Sequence, residues 1–344
     1  MRRKIFRAAL AAAALLSAAA PASLTAQSDI LLRLRSGSPL GDRFRVDSAS
    51  GFVAKGFIGI GIIPFTGSGD RTLWHPFKAG FRTGGVDGTQ WDDSNFGFYS
   101  FASGFNTIAQ GNYSIAAGYG SWALQSYGVG LGYSARSDGV GSVALGYLST
   151  ADGNYSVAIG QRASSNGFSG AIVLSDQSST DSLEASANNQ FSLRAAGGIR
   201  LFTNATKTTG VQVAAGGSSW AVISDRNRKA NFLAVNGEDL LLRLRGVPVT
   251  TWRYRDEADR STLHIGPMAQ DWHRAFGFTA DSTTINMSDF DGVNLAAIQA
   301  LEARTAQLQA STAEVARLRA ELDATRGRLE QLEAAVRKLQ EARQ

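Results

Sequence analysis

The chain has no cysteine among its 344 residues. That absence excludes a disulfide scaffold, a thiolate metal site and a cysteine nucleophile. Its three histidines, His75, His264 and His273, lack the spacing of a metal-ligand set. Each reads as an ordinary surface or core residue, and nothing in the sequence calls for a metal or a cofactor. Glutamate is nearly missing from the first two thirds: of nine glutamates, Glu184 alone precedes Asp225. Long apolar runs are scarce as well. The run at 8–20 is too short for a stable membrane-spanning helix, and no stretch of about 18 or more follows it. The mature chain is therefore expected to have no integral membrane anchor.

Arg2, Arg3, Lys4 and Arg7 precede that apolar run, and small residues follow it up to Ala26. Basic, apolar and small residues in this order make a secretory signal peptide, residues 1–26, with cleavage after Ala22 or Ala26. The alternative is an uncleaved membrane anchor. The expected destination is the cell surface or extracellular space, or the periplasm. Export also changes the meaning of the formal net charge of +5. Removing the four leader cations leaves 30 basic residues against 29 acidic ones. With no long basic run left, nucleic-acid binding has no electrostatic footprint.

Glycine and glutamate divide the rest. Of 38 glycines, 32 lie before Asp225, where glutamate is almost absent. Glycine-rich, glutamate-poor sequence suits turns and strands, and glutamate returns where helices form. A boundary near residue 224 follows. Residues 27–96 read as a small β region: alternation at 43–47, a turn at 48–51 and a strand-like stretch at 52–63. Trp74, Phe77, Phe81 and Trp91 supply a small core, with no visible chemistry.

Residues 97–180 repeat every 14 residues. Gly97, Gly111, Gly139, Gly153 and Gly167 share one column, and Gly104, Gly118, Gly132, Gly146 and Gly160 a second, seven places on. Position five holds Phe101, Ile115, Val129, Val143, Val157 and Ala171. A short fixed period with paired glycines predicts a solenoid whose coils must stack to bury a core. Ala102, Ala116, Ala144 and Ala158 suit a narrow interior. The stretches SVALG (142–146) and SVAIG (156–160) resemble the head repeats of trimeric autotransporter (YadA-like) adhesins. That resemblance implies a left-handed parallel β-roll, three of which pack side by side. No run of amphipathic strands follows the C-terminal helix, so the resemblance does not extend to an outer-membrane barrel.

Residues 181–223 read as a β connector of short strands. From 224 the order changes: a segment SDRNRK (224–229), a helix at 238–244, a strand at 250–254, a GPMAQD segment (266–271) leading into a helix, and a long helix from Asp291. The S-D-x-x-x-K and G-x-x-A-Q-[DE] segments with the leucine-rich helix resemble the intramolecular chaperone of endosialidases and tail spikes, peptidase family S74. The chemistry can be argued from the residues. A serine hydroxyl needs a base, and a desolvated lysine can serve as one. Ser224 and Lys229 are five residues apart, close enough for one turn to join them. The resemblance implies Ser224 as nucleophile and Lys229 as general base in an intramolecular, single-turnover cut beside Ser224 and Asp225. The competing reading makes Ser224 or Asp225 a helix N-cap, with Arg226, Arg228 and Lys229 on a solvated face. The glycine-rich stretch 128–132 lies in the repeat without a following helix, so it is no nucleotide loop. Met268 and Trp272, four apart, read as core.

Leu301, Leu308, Val315, Leu322, Leu329 and Val336 recur every seven residues, with Leu318, Leu332 and Leu339 three places after three of them. This is a heptad seam. Arg304 and Ser311 interrupt its second row. The expected architecture is thus multi-domain: signal peptide (1–26), small β region (27–96), β-roll head (97–180), β connector (181–223), an α+β chaperone and autoprotease domain (224–300), and a coiled coil (301–344). The expected function is an exported homotrimeric fibre, with a possible glycan, matrix or cell-surface ligand on the roll, whose C-terminal domain directs assembly and cuts itself off. The alternatives are a non-cleaving structural or adhesive fibre and a glycan-active spike enzyme. The last would need paired carboxylates, and upstream only Asp92 and Asp93 are adjacent.

Overall fold

The computed structural model describes residues 30–36, 41–48, 51–257, 259 and 261–342. The signal peptide expected at 1–26, with its cut after Ala22 or Ala26, lies outside the described residues. The chain forms two compact units: Met1–Ile199 with Ala214–Ser218, and Arg200–Val213 with Ser219–Gln344.

The first unit opens with β1 (Ile30–Ser36), β2 (Gly41–Asp47) and β3 (Gly51–Ala54) in one antiparallel sheet. The strand expected over 52–63 ends at Ala54. Gly59 and Gly61 take φ of +78° and +107°, so the chain turns into a loop with one bridge, Phe57 to Ile60. A hairpin follows, β4 (Gly69–His75) and β5 (Gly80–Val86). Strand β5 then pairs in parallel with Phe101–Phe105, so the hairpin covers that edge of the solenoid sheet. Trp91 is fully buried and donates from Nε1 to the Thr107 carbonyl at 2.9 Å, whereas Trp74, Phe77 and Phe81 are half-buried.

The repeat is a β-solenoid. Five-residue strands such as Val129–Tyr133 and Val143–Tyr147 stack in parallel, Val129 opposite Val143 and Gly132 opposite Gly146. Two-residue strands, Ile108–Ala109 through Leu183–Glu184, form the opposing sheet. Ala102, Ala116, Ala144 and Ala158 are fully buried in the narrow space between them. The solenoid continues past residue 180, because Phe191–Arg194 adds a further parallel strand to the large sheet.

The two glycine columns exist for different reasons. In the second, Gly104, Gly118, Gly132, Gly146 and Gly160 take φ between +112° and +131°, and a Cβ would also strike the carbonyl of the next coil. In the first, φ is ordinary, but a Cβ on Gly97, Gly111, Gly139 or Gly153 would lie 1.9 to 2.2 Å from a backbone oxygen one coil on. The last row departs from the 14-residue cut. Val157 pairs with Ile172 rather than Ala171, and Phe168 rather than Gly167 stands over Gly153. One extra residue in the turn has shifted the register. Gly167 is free of the stacking constraint: a Cβ there meets nothing within 4 Å.

Strands Ile199–Phe202, Gly210–Val213 and Ala221–Val222, all but Ile199 within the second unit, form a three-stranded sheet. Helix α1 (Gly237–Arg245) follows, capped by Asn236. A two-stranded pair, Thr250–Trp252 with His264–Gly266, leads into α2 (Ala269–Phe276). Helix α3 runs unbroken over Met287–Glu341, 55 residues, capped by Asn286. It starts four residues before the Asp291 read from the sequence. Leu240, Val247, Trp272, Val293 and Ala297 make the core of this unit, with Trp272 against Phe276 and Phe290 at ring distances of 4.6 and 5.0 Å. Met268 occupies the N-cap position of α2. Beyond Ala297, α3 exposes its heptad leucines and valines. Arg304 serves the unit rather than the seam: its Nε reaches both oxygens of Glu238 on α1, at 2.8 and 2.9 Å.

Candidate functional site

The Ser224 segment is built by the sheet before it and the turn after it. Ile223 donates its N–H to the Gly210 carbonyl at 3.2 Å, which fixes the chain up to Ser224. Asp225 then leaves in an extended conformation and caps a short 3-10 turn, Arg226–Arg228. Its carboxylate accepts from the Asn227 N–H at 2.9 Å, and Arg228 Nε lies 3.4 Å from its other oxygen. Arg228 N–H returns to the Asp225 carbonyl at 3.1 Å, and Lys229 N–H to Arg226 at 3.2 Å. This single turn reverses the chain. Lys229 Nζ consequently lies 2.6 Å from Ser224 Oγ, as donor.

The two readings of this segment coexist. Asp225 is the cap, and Lys229 also meets Ser224. Asn231, just beyond, adopts a left-handed φ of +58°, and the Arg226 guanidinium stands 4.8 Å from the Phe232 ring centre. Residues 224–235 are all exposed. His264 has other partners: Glu257 Oε1 at 3.1 Å, and Trp252, whose ring stacks on it at 4.6 Å. The adjacent carboxylates upstream divide between two structural tasks. Asp92 accepts from Gly67 N–H at 2.7 Å. Asp93 faces buried His75 at 2.9 Å and Lys78 at 3.1 Å, and these hydrogen bonds, His75 first, hold its carboxyl below the usual range.

Sequence reasoning passed over two features of the first unit. One is a column of buried hydroxyls: Ser114, Ser142 and Ser156 each donate to the glycine carbonyl three residues back, at 2.6 to 2.8 Å. Their spacing in multiples of the 14-residue repeat was the available signal. The other is Arg82, fully buried at the start of the solenoid. It donates to the carbonyls of Phe81, Ser100 and Ala109 and stands 3.6 Å from the Phe96 ring centre. Burial pulls its pKa down to about 9, so it remains a cation at neutral pH. Nothing in its sequence surroundings marks it.

Two family models match, in the order of the two units. The YadA head domain repeat (2 copies) matches residues 97–121, 123–147 and 137–163. The chaperone of endosialidase, peptidase S74, matches residues 224–280. The chain therefore carries YadA head repeats followed by an S74 chaperone domain. No curated protein and no solved structure matches it. Together the two domains support a trimeric, adhesin-like fibre with a chaperone domain, extracellular or at a cell surface. Among the described residues, no helix is long and apolar enough to cross a membrane.

Proposed function

We propose that this protein is an exported homotrimeric fibre whose C-terminal domain aligns three chains and then cuts itself off beside Ser224. The observation that carries the cleavage is the 2.6 Å approach of Lys229 Nζ to Ser224 Oγ, made by a capped turn within one chain. In the reacting form the amine is neutral and its lone pair accepts the serine proton. Oγ then attacks the carbonyl of the peptide bond beside it in the same chain, the C–N bond there breaks, the proton passes through Lys229 to the leaving amine, and water hydrolyses the resulting ester. The substrate is the chain itself, so effective concentration replaces a binding pocket.

Assembly supplies what the single chain does not. Lys229 is exposed here, and packing by neighbouring copies would shield the pair from water. Two surfaces support assembly from copies of this chain. One is the outward face of the large sheet, with Phe101, Ile115 and Ile172 exposed beside a stacked ladder of Phe105, Tyr119, Tyr133 and Tyr147 at 5.0 to 5.5 Å. The other is the exposed heptad seam of α3. Non-local β assembly is slow, whereas a helical seam forms from local contacts, so the seam is suited to align the solenoids. Release of roughly residues 225–344 would leave a fibre that cannot readily reverse its assembly, which is kinetic stability.

Wild-type protein should run as two bands on a denaturing gel, and Ser224→Ala or Lys229→Ala as one. A trimeric wild type that never splits would leave the second reading, a structural or adhesive fibre. The capped turn of Asp225, which stands without any chemistry, is the observation in favour of that reading. The glycan-active reading has less support, since Asp92 and Asp93 are engaged in holding loops.

A further inference from the structure

Residues 56–69 (GFIGIGIIPFTGSG) contain no charged side chain, yet Phe57, Ile58, Ile60 and Phe65 are exposed and Ile62 is 84% exposed. The loop is held at both ends. Gly59 donates its N–H to the Phe77 carbonyl at 2.9 Å, and Gly56 packs so closely that a Cβ would lie 2.1 Å from Pro76. At the far end Gly67 N–H reaches Asp92 at 2.7 Å. Arg71 Nη2 donates to the Gly67 carbonyl at 2.8 Å, and its guanidinium stands 4.9 Å from the Phe65 ring centre. Between these pins the apex, residues 60–64, presents apolar side chains on a fixed base.

The strands that lead into the loop are cationic. Residues 30–55 carry five basic side chains, Arg33, Arg35, Arg43, Arg45 and Lys55, against two acidic ones, Asp42 and Asp47. The Arg43 guanidinium lies 4.9 Å from the Phe57 ring centre, so these strands meet the loop at its first aromatic side chain. An apolar tip beside a basic rim is what an anionic lipid interface accepts. A second copy of the same surface fits less well. Its cations would face like charges, and the irregular loop backbone would need partners in a dry interface that a hydrated headgroup layer supplies.

We propose that the apex of this loop inserts among the headgroups of an anionic bilayer, with the basic β1–β3 sheet facing the phosphates. The test is co-sedimentation of the full-length protein with phosphatidylcholine vesicles and with vesicles in which about a third of the lipid is phosphatidylglycerol. The proposal expects binding to the anionic vesicles alone, weakened by salt. It expects the Ile60→Asp, Ile62→Asp double variant to bind about tenfold less. Both side chains are exposed, so the variant should keep the wild-type circular dichroism. Wild-type protein that binds neither vesicle, or a double variant that binds as well as wild type, would overturn the proposal. A double variant that loses oligomer mass by light scattering and keeps its vesicle binding would also overturn it, and would make the loop a contact between copies.

Discussion

At the residue scale, the segment 224–229 joins two roles that the sequence set against each other. Asp225 ties down the turn, and the turn delivers Lys229 to Ser224. Removing the cap in Asp225→Ala costs about 1 kcal/mol of local order, so cleavage should slow without vanishing. Asp225→Asn, which can still accept from Asn227, should restore most of the rate. Time courses on a denaturing gel check both, and a wild-type rate in Asp225→Ala would detach the cap from the chemistry. A second residue-scale prediction concerns acid. Hydrogen bonds from Thr283 and then Thr284 hold the Asp281 carboxyl down at about 2. An unfolded aspartate titrates at about 3.9. The depressed folded value means that this contribution to stability is complete above about pH 4 and lost as pH falls through 2. An NMR titration should place the Asp281 midpoint near pH 2; a midpoint near 4 would refute the assignment.

At the element scale, the solenoid tests its two kinds of glycine constraint. Gly146→Ala meets a carbonyl oxygen at 2.2 Å in a left-handed conformation, so the coil must open. Gly167→Ala has open space and bears only the strain of its φ of +75°, about 1 kcal/mol. Chemical denaturation should show Gly146→Ala as far the more damaging. In α3, Gly327 is helical with nothing near its missing Cβ. Gly327→Ala should therefore raise the melting temperature, by about 1 kcal/mol of helix propensity per chain.

Much of this architecture was legible because stacking repeats leave periodic marks. Column glycines and inward alanines recur at a fixed spacing, and the structure uses them as the spacing suggests; the heptad leucines recur too and lie exposed along one long helix. What escaped was aperiodic. The extra residue in the turn after Ser164 shifts Ile172 into the place expected for Ala171, and one inserted residue leaves no pattern of its own. Arg82 was hidden because its partners are carbonyls from three separate segments. Apolar residues interleaved with glycine, as over 52–63, suit an exposed loop as well as a strand, and the strand ends at Ala54. At the candidate site the sequence supplied the pair and its spacing. The 3-10 turn that closes the distance depends on the Asp225 cap, which was legible only as the rival reading.

At the scale of the whole molecule, the surfaces a single chain leaves uncovered carry the argument. The outward sheet face and the α3 seam are apolar and exposed, and patches of that kind mark interfaces. Placing an aspartate at Leu322, in the middle of the seam, should break the trimer and stop cleavage together if assembly gates the dyad. Light scattering and a denaturing gel on the same sample read both. Cleavage that persists in a monomer would separate the two. The most direct measurement is intact-mass spectrometry of purified wild-type protein beside Ser224→Ala. The account predicts two wild-type masses whose break falls beside Ser224, and one uncut mass for the variant. A single uncut mass for trimeric wild-type protein would contradict it.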